Sequence, residues 1–245
     1  MDNINKNTQE KEPIKLEQVD LSAIIVAAIL GFVFVAIFII IRSRRTARRD
    51  FMLTGLCDSG KTAIFMQMLH NKFPETFTSI TENVGDYSSG RMTGRLVDIP
   101  GHNRVRQKYF DQYKKTTKGL IFVVDSVTVQ KEIRDVADAL FNILSDGAIT
   151  PCSILVLCNK QDLTTAKSAQ IVRSILEKEI NIVRDARSRK LESTDEDEAA
   201  RTAVYVGKQG KDFEFAQLQQ NVQFFESSAK ENELSNLSDW IDRML

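Results

Sequence analysis

The octapeptide Gly55-Leu56-Cys57-Asp58-Ser59-Gly60-Lys61-Thr62 restricts this chain more than any other stretch. It satisfies G-x-x-x-x-G-K-[ST], in which glycines let the backbone wrap a phosphate chain and successive N–H groups point inward. The pattern carries meaning only where a buried strand enters it and a helix leaves it. Both contexts are written beside it: DFMLTGL is an apolar run delivering into Gly55, and TAIFMQML (Thr62–Leu69) reads as a helix. A cradle of Gly55 through Thr62, continued by Ala63 in the first helical turn, places a helix N-terminus against negative charge. Lys61 supplies a point charge to the outer phosphates and Thr62 a hydroxyl ligand for Mg²⁺.

Three more motifs follow in order, each after an apolar run. RMTGRLVDIPGH ends in Asp98-Ile99-Pro100-Gly101-His102; there Asp98 can hold a metal through water, and Gly101 can bring its N–H to a terminal phosphate. CSILVLCNKQDL ends in Asn159-Lys160-Gln161-Asp162, where a carboxylate can accept both N–H groups on the N1/N2 edge of guanine, an edge that adenine lacks. Ser228-Ala229-Lys230 follows the last apolar run, with the Ala229 N–H expected to face guanine O6. NKQD is a common helix start and SAK is commonplace alone. The four together, ordered and all at strand ends, point to GTP or GDP with Mg²⁺.

The runs GLIFVVDS (119–126) and 152–163 fit strands covered on both faces, as in a parallel sheet. Gln130–Leu144 and Ala166–Ile180 have helical apolar spacing, Gln223–Ser227 reads as a last strand, and Glu233–Leu245 as a closing helix with Trp240 in the core. The alternation predicts an α/β domain over 50–245 with a doubly wound, mostly parallel sheet. Residues 184–212 are rich in charge and poor in large apolar side chains, and are expected to form a mobile insertion. Cys57, Cys152 and Cys158 have no metal spacing and are too few for a disulfide scaffold, which fits a reducing compartment. With 33 basic and 33 acidic residues, nothing in the total charge points to nucleic acid.

Upstream, Leu21–Ile41 is an uncharged run long enough, as a helix, to cross a hydrocarbon core of roughly 30 Å. It is too long for a signal-peptide core, and the residues before it carry three lysines against five acidic residues. Arg42, Arg44, Arg45, Arg48 and Arg49 follow immediately. The positive-inside bias then predicts residues 1–20 in the lumen, 21–41 as a transmembrane helix, 42–49 as a basic linker and the rest in the cytosol. Asp2 excludes N-myristoylation.

On GLCDSGKT, TSIT (78–81), DIPGH, NKQD and SAK the chain resembles the small GTPases of the P-loop class, nearest the Arf/Sar branch. With the span and arginines in front, and GKQGKDFEFAQLQQNVQFFESSAK behind, it resembles the beta-subunit family of the signal-recognition-particle receptor. The resemblance implies an endoplasmic-reticulum membrane anchor that, when GTP-loaded, docks the receptor alpha subunit and serves the ribosome and translocon indirectly. It places Thr76, Phe77, Thr78 and Ser79 in the first switch, with Ser79 as the metal-binding hydroxyl and Thr78 and Thr81 as rivals for that role. His102 stands where related proteins carry a water-positioning Gln, and fits either water positioning or packing against a partner. An Arf-like trafficking GTPase and a near-static nucleotide-bound anchor are the alternative functions.

Overall fold

A computed structural model describes residues 29–35, 48–74, 79–192 and 205–245. The chain divides into two compact units, residues 1–46 and 47–245. In the first, residues 29–35 are helical, with Phe32 and Phe34 exposed. Among the described residues no helix is long and apolar enough to cross a membrane. Most of the expected span 21–41, the tail 1–20 and most of the linker lie outside the described residues.

The second unit is built on strands β1 (Asp50–Thr54), β2 (Asn83–Ser89), β3 (Met92–Asp98), β4 (Thr117–Asp125), β5 (Ser153–Asn159) and β6 (Val222–Glu226). They form one sheet in the order β2-β3-β1-β4-β5-β6, parallel except for the edge pair β2/β3. Alternate side chains of the central strands go to opposite faces. Met52, Val97, Phe122 and Val156 join one core with α2 (Asn103–Tyr113), α3 (Ile133–Leu144) and α4 (Ala169–Glu192). Phe51, Leu53, Ile121 and Leu157 join the other with α1 (Lys61–His70) and α5 (Ser235–Asp242), where Trp240 meets Phe51 edge to face. Both faces are covered, which is why β4 and β5 read as unbroken apolar runs. Cys158 is sealed inside β5, and burial pushes its thiol up to about 12.

Three elements depart from the sequence expectation. Strand β2 (NVGDYSS) has no apolar run because it is an edge whose residues alternate between half-buried and exposed. Helix α2 is mostly polar and buries only Tyr109 and Phe110. Helix α4, expected to end at Ile180, runs to Glu192, so residues 184–192 are helix and not loop. Two of its arginines have partners. Arg184, 7 % exposed, donates to the Lys208 and Lys211 carbonyls, and the Arg187 guanidinium lies 4.7 Å from the Phe141 ring centroid and bonds Asp138 and Asn142. Within the expected insertion Val206 is buried, and just beyond its end Phe213 and Phe215 pack into the core shared by α4 and β6. Residues 193–204 lie outside the described residues.

Candidate functional site

The order of the strands reverses at β1: β3 lies to one side and β4 to the other. Ligands of open α/β sheets bind beyond strand C-termini at such a point. The loop 55–60 leaves β1 there. Gly55 has φ +143°, and a Cβ would come within 2.3 Å of the Val123 carbonyl oxygen. Gly60, at φ +91°, is pressed against Asn159, whose Nδ2 would lie 2.2 Å from an added Cβ. Both glycines are therefore required by backbone approach as well as by turn geometry. Asp58 also takes a left-handed φ of 59°. Lys61 is buried, its ammonium donating to the Leu56 carbonyl at 2.5 Å and to Ser59 Oγ at 3.4 Å. Desolvation pulls its pKa below the usual lysine value, although Asp98 opposes the shift.

At the metal end, Thr62 Oγ1 donates to Asp98 Oδ2 at 2.7 Å and lies 3.2 Å from Ser79 Oγ. Asn83 Nδ2 also donates to Asp98 Oδ2, at 3.0 Å. Asp98 is 1 % exposed, and its Oδ1 has no partner among the described residues. Burial raises its pKa, only partly offset by the bonds from Asn83 and Thr62. A buried carboxylate with one open acceptor, the Thr62 hydroxyl bonded to it and the Ser79 hydroxyl beside Thr62 are the all-oxygen donor chemistry that Mg²⁺ takes, with water completing its shell. The residues fit that ion. Thr81 is exposed, while Thr76, Phe77 and Thr78 lie outside the described residues.

Gly101 seats the DIPGH turn on the phosphate loop, where a Cβ would meet the Cys57 N at 2.6 Å. His102 is exposed, and its carbonyl accepts the first helical bonds of α2 from Val105 and Arg106. A cleft of about 410 Å³ lies between this turn, Cys57, Arg106 and the acidic residues of α3.

At the other end, Asn159 is 2 % exposed and fully bonded: its Nδ2 donates to the Ser59 carbonyl at 2.9 Å, and its Oδ1 accepts from the Ala229 N–H at 3.1 Å. The Ala229 N–H, expected to face a purine oxygen, is here committed to Asn159. Lys160, in left-handed backbone at φ 70°, lines the cleft of the base end and donates its ammonium to Asp125 at 2.7 Å. That salt bridge helps hold the Asp125 carboxyl below the usual range against burial, the largest effect. Asp162 Oδ1 accepts from Ser228 Oγ at 2.8 Å, and Lys230 stands 3.7 Å from Oδ2. Asp58, Gly60, Ala63, Asn159, Asp162, Ala229 and Lys230 share a cleft of about 300 Å³.

That cleft also takes Phe73 and Leu163, which sequence reasoning missed. Phe73 lies three residues beyond α1 in a stretch with no periodicity, so nothing local marked it. Asn83 was missed because β2 was. Apart from Thr76, Phe77 and Thr78, outside the described residues, the expected residues gather at one end of the sheet, as two groups joined by Asn159.

A sequence model of the family described as "Signal recognition particle receptor beta subunit" matches residues 46–222. The chain is 38 % identical over 236 residues to signal recognition particle receptor subunit beta of Homo sapiens, covering 94 % of this chain and 84 % of that protein. It is 32 % identical over 213 residues to the same subunit of Saccharomyces cerevisiae, covering 82 % and 86 %. The solved structure of the mammalian SRP receptor superposes with a TM-score of 0.72 at 37 % identity, over 80 % of this chain and 100 % of that one. The SRb-GTP/SRX complex from Chaetomium thermophilum gives 0.64 at 18 % identity over 80 % and 100 %, a likeness of fold.

Proposed function

The chain belongs to the signal recognition particle receptor beta subunit family, and from that premise we propose a GTP-responsive membrane anchor for the receptor alpha subunit. The observation that carries the nucleotide assignment is the convergence of Thr62, Ser79 and Asp98 at one end of a glycine-bounded loop and of Asn159 and Asp162 at the other. In this reading the loop N–H groups and Lys61 hold the phosphates, Thr62 and Ser79 ligate Mg²⁺ with Asp98 acting through water, and Asp162 accepts from the guanine N1/N2 edge. GTP supplies the terminal phosphate. The chain's own part is to sense it: Ser79 and Gly101 draw the two switches, around 76–79 and 101–106, towards the phosphate loop and so shape a surface for the alpha subunit. His102, exposed on the rim of the 410 Å³ cleft, is placed to orient a water, giving slow hydrolysis.

The anchor belongs to the same reading. Residues 21–41 cross the endoplasmic-reticulum membrane once, 1–20 lie in the lumen and the GTPase unit is cytosolic, supported by the uncharged run and the arginines behind it. Ribosome and translocon are reached through the alpha subunit, and no nucleic acid is bound directly.

The test uses residues 47–245, the compact unit holding both cores, loaded with a non-hydrolysable GTP analogue or with GDP and offered to detergent-solubilised microsomes and cytosol. Retention of the alpha subunit by the GTP form alone establishes the switch. Equal retention by both forms makes the protein a static anchor, and capture of coat or tether proteins instead supports the trafficking alternative.

A further inference from the structure

The end of the sheet opposite the nucleotide cleft carries an organised basic edge that nothing above uses. Arg48, a residue of the basic linker, is built into the domain: Nη1 donates to the Thr117 carbonyl at 3.0 Å and to Cys152 Sγ at 2.8 Å, and Nη2 to the Ala148 carbonyl at 2.9 Å. The tether is therefore clamped at the start of β4 and β5, and only residues 42–47 separate that clamp from the end of the apolar run at Ile41. Six residues reach about 20 Å when fully extended.

Arg49, just before β1, Arg91, in the β2–β3 turn, and Lys115, in the turn before β4, stand at this same end of neighbouring strands. The Arg49 N–H bonds the Thr116 carbonyl at 2.9 Å, beside Lys115, and the Arg49 carbonyl accepts from the Arg95 N–H at 3.2 Å. Because Asp50 pairs with Arg95, Met92 begins β3 three residues further out, so the β2–β3 turn projects about 10 Å beyond the start of β1. At its tip Gly90, in left-handed backbone, turns the chain into Arg91 and Met92, which is half exposed. Among the described residues Arg49, Arg91 and Lys115 are exposed and pair with no carboxylate, whereas Lys114 is neutralised by Asp111 and Asp146. Among the described residues the edge is thus a row of cations without a carboxylate partner, with one apolar side chain at its leading point.

We propose that this edge rests on the anionic headgroups of the bilayer that holds the anchor, with Met92 entering the interface and Arg49, Arg91 and Lys115 meeting lipid phosphates and carboxylates. The inference rests on the anchor reading above. Tether length and charge complementarity commit the surface to lipid: each basic group near an anionic leaflet contributes about 1 kcal/mol. Such a contact leaves the switches, at the other end of the sheet, facing the cytosol.

The full chain is reconstituted in nanodiscs of phosphatidylcholine with or without phosphatidylserine, carrying photoreactive benzoylphenylalanine at position 92 or, as control, at exposed Ile171 near the start of α4. Lipid crosslinks are expected from position 92, not from 171, and only with phosphatidylserine. Arg91→Glu and Lys115→Glu should each lower the yield about fivefold or more, with nucleotide retention unchanged as evidence of folding. Equal yields with and without phosphatidylserine, or equal yields at 92 and 171, overturn the proposal. So does the absence of any crosslink in a protein that resists alkaline extraction, an outcome that leaves the anchor standing. Extraction of the full chain from membranes by alkali removes the anchor and the proposal together.

Discussion

Asn159 and Asp98 are both almost wholly buried polar side chains at strand C-termini, yet their surroundings differ. Every polar atom of Asn159 is bonded, to the Ser59 carbonyl and the Ala229 N–H. Among the described residues Asp98 has two donors on one oxygen and none on the other, and its ionised form is disfavoured by burial. A neutral amide bonded at both ends organises structure, whereas a desolvated anion with an open lone pair stores a free-energy cost that a cation can relieve. The base end of the site is a scaffold, and the metal end is a receptor.

The largest way to break that contrast is Lys61→Ala. It deletes the charge that the phosphate end desolvates, and loss of two charge-assisted bonds of about 2 kcal/mol each should weaken GTP and GDP about a thousandfold. Equilibrium dialysis decides; a variant still purifying with stoichiometric nucleotide refutes the phosphate-loop assignment. Asn159→Ala attacks the scaffold and should cost about 3 kcal/mol of stability even without ligand, since it leaves the buried Ser59 carbonyl and Ala229 N–H unpaired. Guanidinium unfolding of stripped protein measures it, and a loss under 1 kcal/mol would mean the loops hold themselves. Asp162→Asn keeps the scaffold and changes only the donor pattern offered to the base. It should lower GTP affinity about a hundredfold and favour xanthosine triphosphate, read by competition between the two.

The smallest effect is expected from Asp98→Asn. Because burial raises the Asp98 pKa, the folded state binds its proton more tightly than the unfolded chain does. Its contribution to stability is therefore greatest when protonated and falls as pH rises from the ordinary carboxylate range through the raised folded value. In stripped protein the Asn variant should lose that component and gain about 1 kcal/mol at neutral pH, while Mg²⁺ no longer tightens nucleotide binding. A pH–stability curve parallel to wild type would show that Asp98 is not strained.

The same contrast separates what was legible in the sequence. The central strands and the motifs at their ends were readable because burial on both faces writes unbroken apolar runs, and because the glycines at 55 and 60 answer to left-handed backbone and close approach, Gly55 to the Val123 carbonyl and Gly60 to the Asn159 amide. β2 was silent, being an edge with one face half wet, and Asn83 was hidden with it. α4 was cut short because Arg184 and Arg187 look like a solvated charge run. Only the fold supplies the Lys208 and Lys211 carbonyls that bury Arg184 and the Phe141 ring on which the half-buried Arg187 lies. Most directly, Asn159 was readable as a member of NKQD, but its bonds reach across 100 residues to Ser59 and 70 to Ala229, distances at which a single sequence carries no pattern.

Those two bonds also set a clock. In the proposed reading the loop that grips the phosphates and the loop that frames the base are tied to one amide, which couples the relaxation of one to that of the other. On the proposed nucleotide reading, release is expected as a single rupture instead of a stepwise peeling, with a dwell time set by how often the Asn159 amide lets go of both partners at once. A factor that hastens exchange has one lever to pull, and it lies beneath the ligand, where the grip of both loops ends in the same side chain.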